Sequence, residues 1–165
     1  MSIFYKSERI GKNGRPFFML KFKTLKDGID KKSSFADKNQ YIRFGKFLRK
    51  YKLDEFPQLW NLIKRDMNIV GPRPEERKNI NILPKEIKDI LLSVRPGLTS
   101  LSSIHFFDEE FILQQGLDRY LDYWTKVKPA KILLDTFYIQ NKSFLLDIAV
   151  VWATIKRIIR EIFSK

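Results

Sequence analysis

The chain has 165 residues, 44% of them hydrophobic and 31% charged, enough for one folded domain with its own core and too apolar for a disordered chain. It contains no cysteine and a single histidine, His105, which excludes disulfides, thiolate metal sites, a Cys nucleophile and multi-His zinc centres, and leaves the carboxylates to carry chemistry. A net charge of +13 calls for an anionic partner: a phosphorylated substrate, a nucleic acid or an anionic membrane surface.

The first predicted element is a β-hairpin, FYKSERI (4–10) and PFFMLKFKTL (16–25) around Asn13-Gly14, a pair suited to a turn with positive φ. KDGIDKKSS (26–34) reads as an exposed loop. Tyr41, Phe44, Phe47 and Leu48, at spacings of three and four, predict a helix from about Asp37 to Lys50. Its last turn holds Lys46, Arg49 and Lys50, the favourable sign for a helix C-terminus. A second helix is expected to open at Asp54 and Glu55 and run to about Lys64, until Gly71, Pro72 and Pro74 interrupt regular structure.

A short helix from Pro84 to about Leu92 and a Pro-Gly turn in RPGLTS follow, then helices over 108–127 and 129–140, separated at Pro129. The last stretch, SFLLDIAVVWATIKRIIREIF, puts Phe144, Ile148, Val151, Trp152, Ile155, Ile159 and Ile162 on one helical face, with Lys156, Arg157 and Arg160 toward the other. That pattern serves a helix packed on a core or one lying on a membrane surface. No run of about 18 apolar residues is present, and MSIFYKSERIG is not a signal peptide, so a cytoplasmic chain that does not span a bilayer is expected. The elements add up to a single α+β domain over 1–165, mostly helical, with an N-terminal β-hairpin packed on several short amphipathic helices and a membrane-surface helix at the C-terminus.

KLDEFPQLWN (52–61) carries the sharpest question, because a basic chain places two adjacent carboxylates, Asp54 and Glu55, at the mouth of an apolar helix. Acids in a first turn complement the helix dipole, and Pro57 is tolerated there because its missing N–H would go unpaired. The same helix mouth also suits a phosphate on which the carboxylates act. Both readings stand on local sequence alone.

Four pieces in order, KFKTL (21–25), RKYKLDEFPQLWNLIKRDMNIVGPRPE (49–75), VRPGLTS (94–100) and DRYLDYWTKVKPAKILLDTFYIQNKSFLLDI (118–148), resemble the catalytic domain of the bacterial sugar transferases, the monotopic polyprenyl-phosphate phosphoglycosyl transferases. The densest part is L-D-E-x-P-Q-x-x-N followed by D-M-x-x-V-G-P-R-P. The resemblance implies transfer of a phospho-sugar from a UDP-sugar to polyprenyl (undecaprenyl) phosphate, releasing UMP, at the cytoplasmic face of the bacterial inner membrane, in the first step of capsule, O-antigen or exopolysaccharide synthesis. It implies that Asp54 is the nucleophile that forms a covalent aspartyl-phosphosugar, and that Glu55 is its partner and the ligand of Mg²⁺. Arg49 and Lys21 correspond to phosphate-binding cations, and Pro72, Arg73 and Pro74 to the nucleotide-side loop. Asp66 and Arg95 recur in matching motifs without an assigned role.

The chain departs from the family at three places. The family enters the membrane through a re-entrant N-terminal helix ahead of the strand that starts here at Phe4, and this chain is expected to start after it. Lys23 replaces an arginine, keeping the charge and losing the planar fork. Phe107 stands where the family carries an arginine that binds phosphate, with His105 two residues away. The alternative is therefore a truncated or inactive member that binds a membrane or a partner. Nucleic acid is not an expected partner, since RFGKFLRKY (43–51) falls in a helical pattern and lacks the glycine-aromatic order of an RNA-binding strand.

Overall fold

The computed structural model describes residues 3–26, 40–107 and 119–163. The fold is α+β and mostly helical, as expected. Strands β1 (Phe4–Ile10) and β2 (Pro16–Phe22) pair antiparallel, with Phe4 opposite Phe22 and Ile10 opposite Pro16. They turn through Asn13 at φ 57° and Gly14 at φ 75°, the left-handed region that Asn and Gly tolerate best.

The predicted loop over 27–34 and the predicted helical residues 37–39 and 108–118 lie outside the described residues. Among the described residues the first helix, α1, is shorter than its periodicity suggests and covers Gly45–Lys50. The preceding residues pair instead with the end of the hairpin. Tyr41 bridges Leu25, and the Ile42 amide donates to the Thr24 carbonyl at 3.0 Å. A Cβ at Gly45 would collide with that same carbonyl, so tertiary pairing overrides helical spacing here.

A 3₁₀ segment, Leu53–Gln58, leads into α2 (Leu59–Ile63). Strand β3 (Asn68–Val70) then pairs in parallel with β4 (Gly97–Thr99), and α3 (Arg77–Asn81) and α4 (Lys85–Leu92) lie between them in sequence. Gly71 and Gly97 cross so closely that a Cβ on either would overlap the other's backbone, which is why both positions need glycine. Helix α5 (Leu101–His105) is capped by Ser100, whose hydroxyl accepts from the Ser103 amide at 2.9 Å.

The expected break at Pro129 is absent. Helix α6 (Arg119–Asp122) runs through a π-helical stretch, Tyr123–Val127, into α7 (Lys128–Gln140). Pro129 lacks the N–H that an α-turn would need, and the wider π turn just ahead of it absorbs the misfit without ending the helix.

Helix α8 (Phe144–Phe163) closes the fold. Val70, Tyr138 and Val150 form the buried centre, with Leu101, Ile104, Ile139, Leu146 and Val151 packed around it. Each such side chain contributes about 1.5–3 kcal/mol by leaving water. The Tyr138 hydroxyl donates to Asp147 at 2.6 Å, and Thr154 on α8 meets Thr99 at 2.7 Å, so polar contacts fix the register of α8 on the small parallel sheet. The apolar face read from the sequence points outward. Phe144, Ile148, Trp152, Ile155, Ile159 and Ile162 are all exposed, Trp152 at 57%, while Val150 is 1% exposed. No helix among the described residues is long and apolar enough to cross a membrane.

Candidate active site

The carboxylate pair sits on a backbone corner. Helix α1 ends at Lys50, and Lys52 then adopts φ 57° with its amide donating to the Arg49 carbonyl at 3.2 Å. A lysine at positive φ is uncommon and costs free energy. It turns the chain sharply, so that Asp54 and Glu55 face inward in the first turn of the 3₁₀ segment. Asp54 is not the N-cap of this segment; Lys52 holds that position, and no side chain caps it. The capping explanation for the two acids therefore does not account for their burial.

Glu55 is clamped by two cations. Its Oε1 accepts from Lys21 Nζ on β2 at 2.6 Å and from Arg73 on the loop after β3 at 2.8 Å. Burial raises the cost of ionising Glu55, but the charges of Arg73 and Lys21, with their hydrogen bonds, outweigh it and hold the carboxyl well below the usual range. Lys21 is pushed down by burial, with the charge of Glu55 opposing.

Asp54 is in the reverse condition. It is 6% exposed, and its Oδ1 is buried without a hydrogen-bond partner. Burial raises its pKa, Glu55 adds to the rise, and Lys21, Lys52 and Arg49 oppose it. Two adjacent carboxylates therefore have opposite electrostatic surroundings, one locked as an anion and one desolvated with an open oxygen. That division suits one group for positioning and the other for reaction.

The sequence-predicted residues largely converge. Lys21, Arg73, Asp54 and Glu55 share one site, and Arg49 lies close enough to influence Asp54 while its guanidinium rests 5.9 Å from the Tyr41 ring centre. Pro72 and Pro74 are buried on either side of Arg73, and the Pro72 carbonyl accepts from the Gly97 amide at 2.9 Å. This pins the loop to β4 and aims Arg73 at Glu55. Phe107, where an arginine was expected, is half-buried between elements, with Lys52 Nζ 5.1 Å and the Arg157 guanidinium 5.2 Å from its ring centre. His105 is exposed, and its ring meets Phe106 edge-on at 4.8 Å.

Two positioning features escaped the sequence reading of roles. Asn61, 1% exposed, accepts from the Leu20 amide at 3.1 Å and donates to the Phe18 carbonyl at 2.8 Å and to Asp66 at 3.2 Å. It joins α2 to β2 beside Lys21. The conserved-looking spacing of L-D-E-x-P-Q-x-x-N was its only signal. Behind the Pro72–Pro74 loop, Glu75 accepts from Lys128 at 2.5 Å, and Asp135 and Lys131 line the same narrow cavity. Burial pushes Asp135 up to about 6, against the hydrogen bond from Ser102 and the charge of Lys128.

A family described as bacterial sugar transferase matches residues 1–161. The chain is 36% identical over 172 residues to an exopolysaccharide production protein, ExoY, of Sinorhizobium fredii, spanning 93% of this chain and 69% of that one. It is 31% identical over 163 residues to the UDP-N-acetylgalactosamine-undecaprenyl-phosphate N-acetylgalactosaminephosphotransferase of Aeromonas hydrophila, covering 95% of this chain and 35% of the relative. It is likewise 31% identical to the UDP-glucose:undecaprenyl-phosphate glucose-1-phosphate transferase of Xanthomonas campestris, covering 95% and 31%. With nearly its whole length matched, and with the motif residues gathered at one buried corner, this chain belongs to the bacterial sugar transferase family.

Proposed function

We propose that the chain transfers a phospho-sugar from a UDP-sugar to polyprenyl phosphate and releases UMP. The observation that carries this reading is Asp54, a buried carboxylate with an unbonded oxygen, beside a Glu55 fixed by Lys21 and Arg73. The names of the Aeromonas and Xanthomonas relatives support the same donor and acceptor classes.

In the first step the open oxygen of Asp54 attacks the sugar-side phosphorus. The bond from that phosphorus to the bridging oxygen breaks, and UMP leaves with the electron pair. In the second step an oxygen of polyprenyl phosphate attacks the same phosphorus, the aspartyl–phosphorus bond breaks, and the carboxylate is restored. Desolvation favours the first step, because an anion stripped of water is a stronger nucleophile. Lys21 and Arg73 offset the repulsion between carboxylate and diphosphate, and Arg73, aimed by two prolines, faces the leaving nucleotide.

The donor set fits Mg²⁺. This ion needs one or two carboxylates and takes its other ligands from water and phosphate, and Asp54 Oδ1 with the Glu55 oxygen not bonded to Lys21 and Arg73 supplies them. When bound, Mg²⁺ adds Lewis-acid stabilisation of the phosphate charge. The outward apolar stripe of α8, the exposed Phe56, Trp60 and Ile63 near the dyad and the +13 charge support docking on an anionic membrane surface, where a lipid phosphate is presented. The test is UMP release by the protein on polyprenyl-phosphate vesicles with a panel of UDP-sugars. Release that depends on both a UDP-sugar and Mg²⁺ is expected; absence of release from every donor would contradict the reading.

A further inference from the structure

The charged side chains bonded around the dyad leave nothing for a substrate. Lys21 and Arg73 are both committed to Glu55, and with Asp54 ionised the four groups cancel. A phosphate or diphosphate brought to this corner needs further positive charge.

Two cations meet on one ring nearby. Lys52, two residues before Asp54 and fixed at φ 57°, places Nζ 5.1 Å from the Phe107 ring centre. Arg157, on α8 and distant in sequence, places its guanidinium carbon 5.2 Å from the same centre. An aromatic ring at this range orients a cation without neutralising it, as a carboxylate would. Helix α8 is held in place by the Thr99–Thr154 contact, one turn before Arg157, and Phe107 follows α5 directly. Both cations are thereby positioned by rigid elements.

We propose that Phe107 is a platform presenting Lys52 and Arg157 as a two-cation clamp for substrate phosphate oxygens at the edge of the Asp54–Glu55 site. The identity of the ligand rests on the phosphotransfer reading. A phosphate reaches this corner from two sources, the diphosphate of the donor and the phosphate of the lipid acceptor, and the clamp chemistry suits both. The long reach and planar fork of Arg157 favour bidentate contact, while Lys52 contributes a point charge.

The test is titration calorimetry on the full chain with two probes, inorganic pyrophosphate and geranyl phosphate, for the unmutated protein and for Arg157→Gln, Arg157→Lys and Phe107→Leu. Arg157→Gln is expected to weaken binding of at least one probe about ten- to hundredfold, the size of a lost charge-assisted contact. Arg157→Lys should recover part of that affinity, and Phe107→Leu, which keeps bulk and loses the ring, should lose part of it. A loss confined to pyrophosphate assigns the clamp to the donor, and one confined to geranyl phosphate assigns it to the acceptor. Unchanged affinity for both probes in Arg157→Gln would overturn the proposal. So would an affinity loss that accompanies a lower melting midpoint and is not relieved by lysine, since that marks Arg157 as a packing residue. These titrations need no turnover, so the clamp fails independently of UMP release, which tests phosphosugar transfer itself.

Discussion

At the scale of single residues, Asp54 and Glu55 are set apart by their neighbours. Asp54→Asn keeps shape and burial but removes the nucleophilic charge, so turnover is expected to fall to the background of the assay while the fold remains intact by circular dichroism. Because burial raises the Asp54 pKa, the rate of the unmutated protein should climb with pH as this group ionises. A rate that falls across the acidic limb with rising pH would contradict its role. Glu55→Gln leaves Lys21 and Arg73 facing each other without an anion, and breaking a buried pair of this kind costs on the order of 3 kcal/mol. The Glu55 pKa is depressed, so its stabilisation is present above the unfolded value of 4.5 and is lost as pH falls. The melting deficit of Glu55→Gln should therefore be full at neutral pH and shrink below about pH 4. Asp135 behaves oppositely. Its pKa is raised from 3.8 to about 6, so the folded chain holds an extra proton in that window and loses stability as pH rises through it. Asp135→Asn should raise the melting midpoint increasingly between those values and level off above about 6, by up to about 3 kcal/mol. Identical melting curves at pH 7 would remove Asp135 from the account. The motif made Asp54, Glu55, Lys21 and Arg73 visible in the sequence. The bond from Arg73 to Glu55 was not visible, and neither was the pair of Glu75 with Lys128, which lie 53 positions apart.

At the scale of elements, the site depends on joints between segments remote in sequence. Asn61 connects α2 to β2 through three hydrogen bonds, and Lys21 follows directly after the strand residue it grips. Asn61→Ala should cost about 1–3 kcal/mol for each buried backbone group left unpaired. It should also weaken donor binding, because Lys21 loses its fixed position; stability and KM that both match the unmutated protein would show that the joint is dispensable. Periodicity revealed the hairpin, α4 and α8 well, since each follows a simple alternation or a three-to-four spacing over its length. It failed at α1, where Tyr41 and Ile42 pair with the hairpin end, and at Pro129, where a π turn replaces the expected break. Both failures come from compensation outside the local sequence, which spacing does not encode. The 3₁₀ geometry at Asp54 was hidden for a related reason, since it follows from Lys52 at φ 57°, a conformation that lysine's intrinsic preferences argue against.

At the scale of the whole molecule, charge and apolar surface point to one working environment. The chain carries +13, and its exposed large apolar residues include the α8 stripe and the Phe56, Trp60 and Ile63 group beside the dyad. Attraction to anionic lipid should hold the chain on vesicles at low salt and weaken as ions shorten the Debye length. Flotation is expected to show binding that is largely lost by about 0.5 M salt, and Trp152→Ser with Ile159→Ser should weaken it further without lowering the melting midpoint. Binding indifferent to both changes would place the membrane contact elsewhere. All of these expectations converge on a chemical event at one atom. The most direct test is mass spectrometry of the protein incubated with UDP-sugar and Mg²⁺ but no polyprenyl phosphate, followed by peptide mapping. The predicted result is a phospho-sugar adduct on Asp54, formed with release of UMP, absent in Asp54→Asn and discharged when polyprenyl phosphate is added. UMP release with no adduct on Asp54, or with one on another residue, would contradict the assignment of Asp54 as the nucleophile.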